Sequence, residues 1–174
     1  MDRRVWSRPA AFAMVAAMKN AARLPLFVLA VSVAALAFAL TAEYGFGLKP
    51  CVLCLVQRVP FVLAGLAAGL VLALPRLGRW VMPLVVLTFL VNSGIAVYHV
   101  GVEQKWWASS CSGSAGQALD VTDLAAMMSK PAEAQCDEPA WQWHGITMAA
   151  LNVPFSAGLG LMVLAALLRR KDGR

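Results

Sequence analysis

Four cysteines are the residues of this 174-residue chain best suited to chemistry, and their spacing makes two kinds of pair. Cys51 and Cys54 form a Cys-x-x-Cys unit within Pro50-Cys51-Val52-Leu53-Cys54-Leu55-Val56-Gln57-Arg58, whereas Cys111 and Cys136 stand 25 residues apart. Such residues serve as structural disulfides, zinc ligands or redox-active thiols. Two Cys-x-x-Cys units would signal zinc, but there is one, and the other cysteines have no histidine at finger-like spacing. Four cysteines permit three pairings, of which Cys51–Cys54 with Cys111–Cys136 is the natural resting arrangement. A stapling role is not empty, because closing a 25-residue loop is worth roughly 3–3.5 kcal/mol by chain entropy.

Placement favours redox chemistry. A helix is expected to begin around Cys51, which puts Cys51, Cys54 and Arg58 at i, i+3 and i+7 on one face. A helix N-terminus stabilises anions, and Arg58 adds a permanent positive charge. Both favour thiolate, the reactive form of cysteine. An arginine within an apolar stretch is costly and usually functional, the plain alternative being a side chain that snorkels to lipid headgroups. His99 and Glu103 lie one turn apart near the end of a later apolar stretch and share a face. The plain alternative for His99 is an interfacial ring bonded to a loop carbonyl. Asn92 and Asn152 read as interhelical hydrogen-bond residues concerned with packing.

The elements that must position these residues belong in lipid. The chain is 60% hydrophobic and 14% charged, against about 45–50% and 25% in ordinary soluble domains. Leu24 to Ala42 is 19 residues without a charge, and Trp80 to Val102 is 23. Cys51 to Pro75 is broken only by Arg58, and Pro139 to Leu168 is uncharged. A bilayer core about 30 Å thick needs roughly 20 helical residues. The expected fold is therefore all-α: an integral membrane four-helix bundle with spans at about 24–42, 54–74, 80–101 and 145–167. These form a unit over 24–168, preceded by an N-terminal arm, 1–23, and followed by a basic tail, 169–174.

Eleven of the fifteen Lys and Arg residues fall on the face holding both termini, and seven of the nine acids fall on the other. The positive-inside rule then makes the arm, tail and termini cytoplasmic and leaves all four cysteines outside. In a bacterial-type cell that side is oxidising, so disulfides persist there. The net charge of +6 reflects this asymmetry and argues for a lipid bilayer, not a nucleic-acid partner. The second external loop, about Glu103 to Trp143, is long enough to expect function from it. Within it, Asp120 to Met128 is expected to form a short surface helix. Gly113, Gly116, Ser112 and Ser114 give a flexible stretch after Cys111. Trp106, Trp107, Trp141 and Trp143 flank the loop as interfacial anchors.

Lys49-Pro50-Cys51-Val52-Leu53-Cys54-Leu55-Val56-Gln57-Arg58 resembles the active-site signature of the disulfide-bond formation protein B (DsbB) family. Tyr98-His99-Val100-Gly101-Val102-Glu103, the late Cys136-Asp137 and the small-residue run Gly145 to Asn152 extend the likeness over about residues 24–168. The resemblance implies a quinone-dependent oxidoreductase of the bacterial inner membrane that reoxidises a periplasmic thioredoxin-like oxidant of DsbA type. It implies that the oxidant attacks Cys111, that Cys136 then attacks Cys51, and that Cys54 faces a quinone, ubiquinone or menaquinone, beside Arg58, His99 and Glu103. No metal is implied, and a monomer is expected. Gln57 stands where some members carry an acid. Two other readings are a relative of vitamin K epoxide reductase, whose Cys-x-x-Cys usually lies near its last helices, and a membrane scaffold or metal-handling protein with structural disulfides.

Overall fold

The computed structural model describes residues 9–107 and 134–172, with side chains for 22–107 and 134–169. Four of its helical segments are long and apolar enough to cross a membrane: Ala22–Gly45, Val52–Ala73, Pro75–Glu103 and Met148–Arg169. The first contains most of α1 (Pro9–Leu40) and ends in a π-helical turn, Thr41–Gly45, closed by Phe46 N–H donating to Thr41 O at 3.2 Å. The second is α2 (Val52–Val56) followed by α3 (Arg58–Ala73). The interruption at Gln57 has a covalent cause: Pro60 has no N–H for the Val56 carbonyl, and its ring crowds that oxygen. A 3-10 turn, Pro75–Leu77, leads directly into α4 (Gly78–Glu103), so α3 and α4 are tight neighbours. The last helix is α5 (Met148–Asp172).

Helix α1 packs on α3, α3 on α4, and α4 most extensively on α5. The core is apolar: Val28, Phe61, Ala64, Ala68, Val85, Phe89 and Val163 are among its buried members. Small residues let the helices approach closely. A Cβ on Gly65 would sit 3.4 Å from Ser32 Cβ of α1, and one on Gly160 would sit 3.0 Å from Leu90 Cδ2 of α4. Large apolar side chains such as Leu26, Phe38, Leu66, Leu84 and Leu161 point outward instead. That inversion suits a hydrocarbon solvent, where exposed leucine costs nothing. Asn92 and Asn152 do join helices, as their positions in apolar stretches suggested: Asn92 Nδ2 donates to Ser156 Oγ at 2.9 Å and Asn152 Nδ2 to Gln57 Oε1 at 2.6 Å.

Two chain reversals set the outer end of the bundle. Helix α4 stops in a Schellman motif: Trp106 N–H donates to Gly101 O, Lys105 N–H to Val102 O, and Lys105 sits at φ 59°. Trp107 folds back, stacks on Tyr98 at 5.6 Å between ring centroids and donates from Nε1 to Tyr98 O at 3.2 Å. Its ring occupies the space that a side chain on Gly101 would need. The final span begins at Met148 rather than near Gly145, because residues 142–147 form a β-hairpin. Strands β1 (Gln142–Trp143) and β2 (Ile146–Thr147) pair antiparallel around His144 at φ 50° and Gly145 at φ 82°. Positive φ at both central residues is the two-residue hairpin turn whose twist matches the strands. Trp106, Trp107, Trp141 and Trp143 are all exposed at this end. Cys111 and the segment Asp120 to Met128 lie outside the described residues.

Candidate active site

Cys51 is the N-cap of α2, extended at φ −77° and ψ 171°, and its sulfur accepts the Cys54 N–H at 3.4 Å. The preceding Pro50 holds the chain out of helical geometry until that residue. One turn later Cys54 brings its sulfur to 3.2 Å from the Cys51 sulfur, and the Cys51 S–H donates across that gap. The two are therefore a thiol pair, set where a short approach makes a disulfide. The Cys51 thiol is pushed up to about 12, first by its bond to Cys54 and then by burial, against a lowering contribution from His99.

A residue distant in sequence completes the sulfur group. Cys136 is 1% exposed and Cys51 5%, and with Val102 they make one buried cluster fringed by Leu53, Cys54 and Ala134. The segment after the long loop thus delivers Cys136 to the head of α2, under the end of α4.

His99 and Glu103 are brought to the same place from α4. His99 Nε2 lies 3.5 Å from Cys51 Sγ and 3.7 Å from Glu103 Oε1. His99 Nδ1 is 2.8 Å from Gln57 Nε2. An amide nitrogen only donates, so Nδ1 accepts and the single proton of a neutral ring resides on Nε2, facing sulfur. Glu103 is held from its other oxygen by Thr147, whose hydroxyl donates to Oε2 at 2.6 Å while accepting the Ala150 N–H at 3.1 Å. Thr147 therefore caps α5 and anchors the carboxyl of α4 in one stroke. Lys49, Cys51, Cys54, His99, Glu103, Gln135 and Glu138 line a cavity of about 20 Å³, about the space of one water molecule.

Arg58 has an acid as its partner. The face expected to hold it beside both cysteines is broken at Gln57, which turns inward and is 7% exposed. Arg58 Nη1 instead donates to Glu43 Oε2 at 2.6 Å, tying the head of α3 to the π-turn of the first span. Helix interiors with π-turns are frequently functional. Glu43, Gln57, Thr147 and Asn152 had no functional role in the sequence reading. A lone acid closing an apolar span opposite a lone arginine was a usable signal for the first of these.

Two groups could use this donor set, a metal ion and a quinone. Ligand atoms of Cys51, Cys54 and His99 all lie within 4.8 Å of one another, as a soft metal would want. Yet the two sulfurs lie 3.2 Å apart in hydrogen-bond contact with each other, so the geometry suits thiol chemistry better. A quinone ring is far too large for the polar cavity, but the neighbouring surface suits one. Cys54 is partly exposed, Arg58 is 20% exposed with only Nη1 engaged, and Val52, Leu55, Val56, Tyr44 and Phe46 present apolar surface.

Comparison with known proteins gives a consistent picture. The family model described as disulfide bond formation protein DsbB matches residues 21–166. The uncharacterized protein RP370 of Rickettsia prowazekii is 28% identical over 134 residues, covering 75% of this chain and 78% of that protein. Disulfide bond formation protein B of Neisseria gonorrhoeae is 38% identical over 86 residues, covering 49% of this chain and 52% of its own. No solved structure matches the chain.

Proposed function

The chain belongs to the DsbB family, and from that membership and the sulfur geometry we propose that it reoxidises a periplasmic DsbA-type dithiol protein and passes the electrons to a membrane quinone. As a member of that family with four helices able to span a membrane, it is a membrane oxidoreductase of disulfide formation. The observation that carries the finer reading is the shared burial of Cys136 with Cys51, 3.2 Å from which lies Cys54. Cysteines from two distant segments share one buried cluster, which supports exchange between them.

A thiolate of the reduced oxidant attacks Cys111, breaking Cys111–Cys136 and releasing Cys136 as thiolate. Cys136 attacks Cys51, breaking Cys51–Cys54 and releasing Cys54. The oxidant's second thiol resolves its mixed disulfide, leaving the oxidant oxidised and Cys111 free. Cys111 then recovers Cys136, which leaves two electrons and two protons on Cys51 and Cys54. Each exchange needs a thiolate and a stabilised leaving sulfur. At Cys51 the His99 Nε2–H supplies that stabilisation.

A bound quinone, ubiquinone or menaquinone, supplies the two-electron acceptor that returns Cys51 and Cys54 to the disulfide. The residues that would hold it are Cys54 and Arg58, with the exposed apolar side chains at the same helix heads. His99 faces Cys51, Glu103 lines the cavity with both cysteines, and both would act through sulfur. The charge bias supports an orientation with both termini, the arm 1–23 and the tail 169–174 in the cytoplasm, and the cysteines on the periplasmic side of the inner membrane.

Quinone reduction by the purified protein in detergent, with a reduced thioredoxin-like dithiol protein as donor, tests the reading. Wild type should turn over, and Cys54→Ser and Cys111→Ser should not. Persistent oxidation of all four cysteines with no turnover would leave a stapled scaffold as the better account.

A further inference from the structure

Behind Cys51 five side chains form one hydrogen-bonded chain through the bundle. Asn92 Nδ2 donates to Ser156 Oγ at 2.9 Å, and Ser156 Oγ donates to Asn152 Oδ1 at 2.8 Å. Asn152 Nδ2 donates to Gln57 Oε1 at 2.6 Å, and Gln57 Nε2 donates to His99 Nδ1 at 2.8 Å. The series ends with His99 Nε2, 3.5 Å from Cys51 Sγ. Every bond points the same way, toward sulfur. Asn92, His99 and Ser156 are buried, as is Gln57, so water does not compete for these groups.

Direction matters because the chain has two polarities. With the amides as they stand, Nδ1 must accept and Nε2 carries the proton. With Gln57 and Asn152 reversed, Nδ1 would donate and Nε2 would turn a lone pair on the sulfur. The first arrangement stabilises negative charge on Cys51, and the second opposes it. At the far end Asn92 Oδ1 is buried with no partner among the described residues, so no bond there imposes the polarity. Apolar residues at the same positions would pack the three elements with no orphaned acceptor.

We propose that Gln57 and Asn152 are positioning residues that hold His99 as its Nε2–H tautomer, so that the ring donates to the Cys51 sulfur whenever that sulfur carries charge. This deepens the redox reading and rests on Cys51 being an exchanging sulfur. Its readouts need no turnover, so failed quinone reduction with the tautomer intact would sink that reading alone.

The test is ¹⁵N NMR of the histidine ring in detergent, in the His144→Asn variant that leaves His99 as the one histidine. A protonated Nε2 and bare Nδ1 are expected. Gln57→Met and Asn152→Leu should populate both tautomers. In a reduced Cys54→Ala background, each should also slow iodoacetamide alkylation of Cys51 about tenfold, the equivalent of ~1.4 kcal/mol. Gln57→Glu should not restore the Nε2–H tautomer, because an ionised carboxylate only accepts and draws the ring proton onto Nδ1. A purely packing role would leave the apolar variants at the unmutated rate. An Nδ1–H tautomer in the unmutated chain overturns the proposal, as does an unchanged ring pattern in Asn152→Leu. The two variants alter different elements, so the failure of one to fold leaves the other to decide.

Discussion

Thr147→Val is the perturbation whose cost can be worked most fully from the structure. The residue is 3% exposed, and valine matches threonine in shape, so packing changes little. Two bonds are lost: the hydroxyl's donation to Glu103 Oε2 at 2.6 Å and its acceptance of the Ala150 N–H at 3.1 Å. Loss of an N-cap costs about 1 kcal/mol. Leaving a buried acceptor unsatisfied costs about 1–3 kcal/mol. The Glu103 side chain is 4% exposed, so water does not replace the hydroxyl readily. The expected destabilisation is therefore about 2–4 kcal/mol, read by reversible unfolding in mixed micelles. Thr147→Ser should keep both bonds and lose little. A double-mutant cycle with Glu103→Gln should show coupling of about 0.5–3 kcal/mol between the two positions. Thr147→Val within 0.5 kcal/mol of wild type, or zero coupling, would refute the claim that this hydroxyl joins α5 to the site.

Lys105 is a non-glycine residue at φ 59°, so Lys105→Gly should stabilise the protein by about 1 kcal/mol in the same unfolding experiment. Gly101→Ala should drive Trp107 off Tyr98, since the added methyl needs the space of the indole; a red-shifted, more quenchable tryptophan emission would report it. With the Cys51 thiol pushed up to about 12 by Cys54 and burial, thiolate becomes available only as pH rises. Alkylation of Cys51 in the reduced protein should thus keep climbing above pH ~10, well past the ordinary cysteine value of about 8.5. Cys54→Ala removes the leading cause and should move the rise to lower pH, whereas a wild-type plateau by pH ~9 would contradict the geometry.

The sequence exposes the spans because a membrane helix must be free of charge over its whole length, a condition that needs no knowledge of partners. Cys51 as a helix start was legible for a similarly local reason, the preceding Pro50. The fate of Arg58 was not. Its direction depends on Pro60 interrupting the helix two residues away and on Glu43, fifteen residues earlier in another span, being there to receive it. The hairpin before α5 hid behind its own composition, since Gly145-Ile146-Thr147 is as apolar as a helix start. Only the positive φ of His144 and Gly145 distinguishes it. Asn92 and Asn152 announced interhelical bonds by being polar among alanines and leucines. That Asn152 reaches His99 through Gln57 is a fact about three elements meeting, which one sequence does not contain.

The central claim is that Cys136 and Cys51 are in exchange contact. It is tested most directly in the Cys54→Ser, Cys111→Ser double variant, which leaves those two sulfurs alone. Mild oxidation should produce the Cys51–Cys136 disulfide quantitatively, identified by mass spectrometry of the cross-linked peptides. If both cysteines remain thiols, or pair only between molecules, the relay from the long loop to the head of the second span does not run as described.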